Sequence, residues 1–191
     1  MNKTEKMALL QETCLSCHQC ALGKTRTNLV FGRGNPEAML MLIGEAPGEQ
    51  EDLTGLPFVG AAGKLLDHYL TYVEINENDY YIANILKCRP PYNRDPLSEE
   101  EEICIGHLRA QTAIIRPKLI VCLGRIAAMR IIKPDFRITR EHGVWREKAG
   151  VQMTAVYHPA ALLRDPRKKE EMLLDMLVVS AKLKELKKLP Q

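Results

Sequence analysis

The sequence predicts an α/β fold, a three-layer α/β/α arrangement around a central, four-stranded, mostly parallel sheet. Four short apolar runs lack the alternation of a half-exposed strand, which indicates strands buried on both faces. Segments of helical character separate these runs, so that strand and helix alternate along the chain. Two of the runs end in glycine, at Gly44 and Gly124, a residue that permits the chain to turn sharply out of a sheet.

The elements follow from local patterns. The predicted strands cover residues 38–43, 80–86, 119–124 and 151–157, and the predicted helices cover residues 4–12, 62–74, 98–116 and 168–187, with a short helix after the third strand. Ser98 and Glu101 have the spacing of a capping box, and Pro117 stops the helix that they begin. The segment from Cys14 to Arg33 has no clear period, and we interpret it as a loop held by something other than a core.

Length and composition limit the class of protein. A chain of 191 residues with no visible linker or repeat predicts a single domain over residues 1–191. We expect a cytoplasmic protein without membrane contact, because no apolar run could span a bilayer and no secretory signal is visible. The formal net charge of +3 permits nucleic acid binding without arguing for it.

Polar residues collect at one edge of the predicted sheet. Glu45, the loop that begins at Cys88, and His158 all follow strands, and Asn84 lies just before the end of its strand. The carboxyl ends of parallel strands meet at one edge, where open α/β sheets bind ligands. We therefore expect one pocket to contain a carboxylate turn, an amide, an imidazole and the aromatic ring of Phe58.

Asn84 is the most informative of these residues. An amide in an apolar strand must be hydrogen-bonded, by the protein or by a ligand. A structural amide is the better interpretation of an isolated asparagine, but a position at the strand end favours ligand recognition. Taken alone, Phe58, Leu162 and Leu163 are more typical of a core.

The cysteines predict a metal site and leave its metal open. Six cysteines in a cytoplasmic protein favour metal ligation over disulfides. Cys122 lies inside a strand and is typical of a small core residue. The remaining candidates are Cys14, Cys17, Cys20, Cys88 and Cys104. Their spacing suits a four-cysteine iron–sulfur cluster and zinc about equally, and it does not distinguish the overlapping pairs Cys14/Cys17 and Cys17/Cys20.

Five ordered motifs together resemble the family 4, iron–sulfur branch of the uracil-DNA glycosylases. They are Gly44-Glu-Ala-Pro-Gly48, the pair Glu51-Asp52, Gly55-x-Pro57-Phe58-Val59-Gly60, Asn84-x-x-Lys87-Cys88-Arg89-Pro90-Pro91, and His158-Pro-Ala-Ala-Leu-Leu-Arg164. The resemblance implies a repair enzyme that flips uracil out of DNA and hydrolyses its N-glycosidic bond. The expected product is an abasic site in an unbroken strand.

The resemblance also implies roles for residues. The residues expected to bind uracil are Glu45, Ala46, Pro47, Phe58, Asn84 and His158. The catalytic candidates are His158, which would stabilise the leaving uracil, and Glu45 or Glu51, because Ala46 stands where some other branches carry a water-activating aspartate. The residues expected to contact DNA are Arg89, Arg94, Leu162, Leu163 and Arg164, the last three resembling a loop that enters the duplex.

For the metal, the resemblance implies a structural 4Fe–4S cluster. Counting back from Arg26 in the family pattern selects Cys17 and Cys20, with Cys88 and Cys104 as the other ligands. Cys14 is then a spare thiol in a flexible segment. The expected partner is uracil-containing DNA, and the expected state is a monomer.

Other classes of protein remain as alternatives. A non-catalytic iron–sulfur protein that binds uracil or abasic DNA would share the pocket, and a redox protein would share the cluster. A zinc deaminase is disfavoured because its H-x-E and P-C-x-x-C motifs are missing from the sequence. A P-loop enzyme is disfavoured because residues 60–65 lack the required spacing and the Ser or Thr.

Overall fold

The computed structural model describes residues 1–189, so the last two residues of the predicted domain lie outside the described part. Within residues 1–189 there are six strands: β1 (Arg33–Gly34), β2 (Leu40–Gly44), β3 (Tyr80–Asn84), β4 (Leu119–Leu123), β5 (Arg146–Lys148) and β6 (Val151–Val156). They form one sheet in the order β1-β3-β2-β4-β6-β5. The central strands β3, β2, β4 and β6 are parallel, as predicted.

The sheet also has two antiparallel edge strands that the sequence did not predict. β1 pairs with β3, and β5 pairs with β6. β5 connects to β6 through Ala149 and Gly150, whose φ angles of 52° and 76° suit a two-residue hairpin. Both edge strands are short, and β5 is exposed along its whole length. A strand of only two or three residues without apolar side chains has no hydrophobic pattern from which it could be predicted.

Eight α-helices accompany the sheet over the same described range: α1 (Lys3–Leu15), α2 (Glu49–Thr54), α3 (Ala61–Tyr72), α4 (Ser98–Ile115), α5 (Arg125–Ile131), α6 (Ile138–Glu141), α7 (Pro159–Arg164) and α8 (Lys169–Lys188). The predicted capping box at Ser98 is wrong by one residue. Leu97 occupies the N-cap, and its N–H donates to Glu100 at 2.9 Å. The carboxylate of Glu100 also accepts two hydrogen bonds from the guanidinium group of Arg94. This explains why Glu100, and not Glu101, caps the start of the helix.

The helices cover both faces of the sheet and produce the predicted three layers. Alternate residues of β2 point to opposite sides: Met41 and Ile43 join a core cluster with residues of α1, α4 and α5. Leu40 and Leu42 join a second cluster with residues of α3 and α8. A central strand therefore needs apolar side chains at every position, which is why its sequence shows no alternation.

The cysteine-rich segment is more ordered than the sequence suggests. Leu22, Leu29 and Phe31 are buried in the first core cluster, so apolar packing also holds the segment from Cys14 to Arg33. Cys14 itself is in α1, which extends beyond the predicted residues 4–12. No helix among residues 1–189 combines the length and apolar character needed to cross a membrane.

The register of the sheet decides where the polar residues meet. Gly44 of β2 lies opposite Asn84 of β3, and Leu123 of β4 lies opposite Val156 of β6. All four central strands therefore end at one edge of the sheet, and the chain segments that follow them can form the walls of one cleft.

Candidate active site

A cleft of about 630 Å³ opens at the carboxyl edge of the sheet. Segments that follow β2, β3, β4 and β6 all contribute to its wall, as the strand order requires. Nine of the predicted site residues line it: Glu45, Ala46, Pro47, Glu51, Phe58, Asn84, Arg94, His158 and Arg164. The volume is within the range of small-molecule sites in proteins.

Asn84 lines the cleft at the end of β3. It is only 2% exposed, and its Oδ1 has no hydrogen-bond partner within residues 1–189. A Cβ atom on Gly44 would overlap this oxygen and would lie 2.6 Å from Cζ of Phe58. Glycine at position 44 therefore allows the amide and the aromatic ring to approach each other. A buried, unpartnered acceptor is costly unless a ligand supplies its hydrogen.

Phe58 is held in an unusual backbone conformation. Its φ angle of 54° lies in the left-handed region, which is rare for a bulky residue. Gly63 makes this possible, because a Cβ there would overlap the carbonyl group of Phe58. The centroid of the Phe58 ring lies 6.1 Å from the centroid of the His158 ring. The strain is stored next to the candidate site, as is common in functional sites.

Glu51 fixes the turn that carries Phe58. Its carboxylate accepts backbone N–H groups of Gly48 at 3.1 Å, Val59 at 2.9 Å and Gly60 at 2.8 Å. Both carboxylate oxygens are therefore engaged, one by Gly48 and the other by Val59 and Gly60. This pattern favours a structural role for Glu51 over the catalytic one that the sequence left open.

Glu45 differs from Glu51 in its surroundings. No donor among residues 1–189 hydrogen-bonds its carboxylate, which stands in the cleft directly after Gly44. Burial, together with the nearby carboxylate of Asp95 and against the opposing charge of Arg125, raises the pKa of Glu45 to about 7. A carboxylate of this kind can accept a proton near neutral pH.

His158 has a defined tautomer. Its Nδ1 accepts the N–H of Ala160 at 3.1 Å, where the residue caps α7. The proton of the neutral ring is therefore on Nε2, which has no partner among residues 1–189. Burial lowers the pKa of His158 to about 4, and the positive charge of Arg164 lowers it as well. At neutral pH the ring is an uncharged donor aimed at the cleft.

Arg125 and Lys168 line the cleft although the sequence did not single them out. Arg125 begins α5 directly after Gly124 and forms an ion pair with Asp95 at 3.3 Å. Lys168 lies over the ring of Tyr157, with Nζ 4.7 Å from the centroid. The rule that predicted Glu45 and His158, a position just beyond a parallel strand, also applied to Arg125.

The predicted DNA-contacting arginines are placed unequally. Arg164 lines the cleft, and so does Arg94, although its guanidinium group is bound by Glu100 at 2.6 and 2.9 Å. Arg89 does not line the cleft. It donates to Asn93 at 2.8 Å and lies 3.9 Å from Glu49.

The two leucines predicted to enter DNA, adjacent in α7, differ in exposure. Leu163 is 50% exposed, whereas Leu162 is completely buried in the second core cluster. The contact of Leu162 with DNA stays a prediction, and in this conformation only Leu163 presents its side chain to solvent. Consecutive positions on a helix point about 100° apart, so one can face the core while the next faces solvent.

Four cysteines line a small second cavity behind the site: Cys17, Cys20, Cys88 and Cys104. Arg26 donates to the sulfur of Cys88 at 3.2 Å, and the N–H of Lys87 donates to the sulfur of Cys104 at 3.3 Å. Within residues 1–189 no three His, Cys, Asp or Glu side chains are arranged to bind a single metal ion. Four thiols around one cavity, two of them with donors directed at their sulfurs, are a set of ligands that suits an iron–sulfur cluster.

Cys14, predicted to be a spare thiol in a flexible segment, lies in the helix α1. It is fully buried in α1, and its sulfur lies 3.1 Å from Nδ1 of His107. The Nε2 atom of the same ring lies 3.4 Å from the sulfur of Cys17. The ring of His107 therefore lies between Cys14 and Cys17, and Cys14 does not line the cavity of the four cysteines. Cys122 is buried in β4, as predicted.

Comparisons with known proteins agree with this geometry. The family model described as "Uracil DNA glycosylase superfamily" matches residues 31–178. The chain is 48% identical over 165 residues to a type-4 uracil-DNA glycosylase of Archaeoglobus fulgidus, with 82% of this chain and 83% of the relative covered. Type-4 uracil-DNA glycosylases of Pyrobaculum aerophilum and Thermotoga maritima are each 41% identical, over 87% and 85% of this chain and 89% and 86% of the relatives.

Proposed function

The chain belongs to the uracil-DNA glycosylase superfamily, in its type-4 branch, and from this premise we propose that it removes uracil from DNA by hydrolysing the N-glycosidic bond. The observation that carries the proposal is the buried, unpartnered Oδ1 of Asn84 in the cleft. The products are free uracil and an abasic site in an intact strand. Among the described residues that line the cleft the only lysine is Lys168, whose Nζ lies over the ring of Tyr157, and we assign it no nucleophilic role.

Asn84 reads the base in this proposal. Uracil is rotated out of the duplex and stacks on Phe58. Oδ1 of Asn84 then accepts the N3–H of uracil, and its amide nitrogen donates to O4. Cytosine lacks the N3 hydrogen and carries an amino group in place of O4, so it leaves both groups of a buried amide unpaired. The turn formed by Glu45, Ala46 and Pro47 closes the pocket around the ring.

His158 stabilises the leaving group. As the glycosidic bond lengthens, negative charge grows on uracil, and Nε2–H donates a hydrogen bond to O2. The depressed pKa keeps this imidazole neutral, so it is a fixed dipole that requires no change of protonation. Donors placed in advance at a developing charge are a large source of rate enhancement.

Glu45 acts on the attacking water or on the sugar. Its carboxylate orients the attacking water or stabilises the cationic character of the sugar. Glu51 supports the same reaction from a distance, because its three backbone hydrogen bonds hold the turn on which Phe58 stacks the base. We therefore assign Glu45, and not Glu51, to the chemical step.

The cluster proposal is a structural 4Fe–4S group held by Cys17, Cys20, Cys88 and Cys104. When bound, it supplies a cross-link among segments that are far apart in sequence. Cys88 lies four residues after Asn84 and begins the loop whose later residues line the cleft. The cluster would thus hold the N-terminal segment, this loop and α4 in one arrangement.

The proposed partner is uracil-containing DNA, bound by a single-domain monomer in the cytoplasm, where thiolate ligands stay reduced. Arg164 and Arg94 supply positive charge at the cleft, and Leu163 is the exposed apolar residue available to fill the space that uracil leaves. Arg89 contributes through the loop that it stabilises by its bond to Asn93.

The test is incubation with an oligonucleotide that contains one uracil, followed by alkali. We expect free uracil and a break that requires alkali, and a cytosine control that stays intact. Breakage without alkali, with a covalent adduct trapped by borohydride, would overturn the monofunctional mechanism. Binding without release of uracil would favour the alternative, a non-catalytic uracil or abasic-DNA binding protein.

A further inference from the structure

One aromatic side chain near the cleft has no packing role. Tyr92 is 98% exposed, the highest value of any large hydrophobic residue in the described part of the chain. Aromatic rings usually bury most of their surface, because they are large and apolar. The fold gains little from this ring in the free protein, so its contribution is to be sought in a complex.

The position of Tyr92 connects it to the cleft. Pro90 precedes it, and Asn93, Arg94 and Asp95 follow it, and all four of these residues line the cleft. Tyr92 itself projects from the rim. The segment continues from β3 through Cys88, so the ring is carried by the same chain segment as Asn84, which we propose to read the base.

The turn that presents the ring is rigid and strained. Tyr92 and Asn93 have φ angles of 56° and 54°, in the left-handed region that side chains disfavour. The Asn93 N–H bonds the Pro90 carbonyl at 3.1 Å, and the Asn93 side chain accepts from Arg89 at 2.8 Å. Arg94 anchors the end of the turn on the buried carboxylate of Glu100.

These contacts fix the backbone that carries the exposed ring before any ligand arrives. A side chain carried by a fixed backbone loses less entropy on binding than one carried by a mobile loop. Guanidinium groups of Arg89 and Arg94 lie on either side of it in the chain, with exposed fractions of 24% and 37%. An exposed aromatic ring between basic groups is the usual arrangement for stacking on bases of single-stranded character.

We propose that Tyr92 is a stacking platform for an unpaired base next to the flipped uridine. This proposal rests on the proposed function, since uracil leaves the helix only if the adjacent steps unstack. Stacking on an aromatic ring requires only the face of a base, so the platform tolerates any neighbouring sequence. It adds a second base-binding position outside the uracil pocket.

The test uses DNA that carries a stable abasic analogue beside 2-aminopurine, whose fluorescence falls when it stacks. The variants are Tyr92→Ala, Tyr92→Phe and, as the matched control, Tyr72→Ala, a 65% exposed tyrosine on α3 outside the cleft. We expect about tenfold weaker binding and loss of quenching for Tyr92→Ala, and nearly full retention of both for Tyr92→Phe and Tyr72→Ala.

Equal affinity and equal quenching for Tyr92→Ala and the wild type would overturn the proposal. So would equal losses in Tyr92→Phe, because those would assign the contact to the hydroxyl group. The analogue has no uracil to release, so the result does not depend on catalysis. A wild-type protein that quenches 2-aminopurine but releases no uracil would reject the proposed function and leave the platform standing.

Discussion

Replacing Glu45 by Gln should raise stability and lower activity at the same time. The substitution keeps the size of the side chain and removes its charge. Burial raises the pKa of Glu45 from an ordinary 4.5 to about 7, so the folded protein disfavours the charged form. A raised folded pKa contributes stability that is fully present below the unfolded pKa and is lost as pH rises through the folded pKa.

The size of the effect follows from the pKa. The gap between 4.5 and about 7 corresponds to roughly 3.4 kcal/mol at 1.36 kcal/mol for each pH unit. The carboxylate is partly open to the cleft, and solvent screening reduces the expected difference to about 1–2 kcal/mol. For a chain of this length, each kcal/mol of stability shifts the melting temperature by about 2–4 °C.

The assay is the difference in unfolding free energy between Glu45→Gln and the wild type, measured at several pH values. The difference should be near zero below pH 4.5 and should favour the variant by about 1–2 kcal/mol above pH 8. Other groups titrate alike in the two proteins and cancel. Under single-turnover conditions the wild-type rate should rise through about pH 7, and the variant should be about 100-fold slower with no such inflection.

A difference in stability that does not change with pH would refute the reasoning about burial. A variant with the wild-type rate and the same pH profile would refute the catalytic role of Glu45. The two results are independent, because the first concerns the folded protein alone and the second requires DNA.

Four further predictions concern the same site and the cysteines. Asn84→Asp should lower kcat/KM on uracil about 100-fold, since a carboxylate meets O4 acceptor to acceptor; an unchanged preference for uracil over cytosine would remove Asn84 as the reader. His158→Ala should slow single-turnover excision about 100-fold or more while changing DNA affinity little, and equal losses in both measurements would count against it. Glu51→Gln should lower unfolding free energy by about 1–3 kcal/mol through its backbone hydrogen bonds, and a loss of rate without loss of stability would return it to the chemical step. Cys20→Ala should bleach the brown absorbance of the cluster, whereas Cys14→Ala should keep the absorbance and lose only packing in α1; the opposite result would mean that Cys14 and Cys17 form the pair.

The sequence was sufficient for the four central strands of the sheet and for the residues at their carboxyl edge. Apolar runs without alternation require burial on both faces, and alternation with helices requires parallel strands. Parallel strands then place Glu45, Asn84 and His158 at the same edge whatever the details of packing. The motifs around these residues indicated the family, and the comparisons confirm it.

The short edge strands β1 and β5 show where this reasoning stops. Their residues are few, exposed or charged, and they pair with β3 and β6 only because those strands offer a free edge. The periodicity of a short segment does not show which strand the fold will place beside it.

Residue roles also required the tertiary structure. Glu45 and Glu51 are both acidic residues near one turn, and they differ only because Val59 and Gly60 return to bind Glu51. His158 and Cys14 likewise depend on partners, the N–H of Ala160 and the ring of His107.

By itself, the sequence determined the four central strands and the main helices between them, the edge at which the site forms and the chemical types gathered there. These depend on local periodicity and on the identity of single residues. Only the tertiary structure decided which carboxylate is free, which leucine is buried and which tyrosine is exposed. Burial and hydrogen bonding are properties of contacts between segments distant in the chain, and no local pattern contains them.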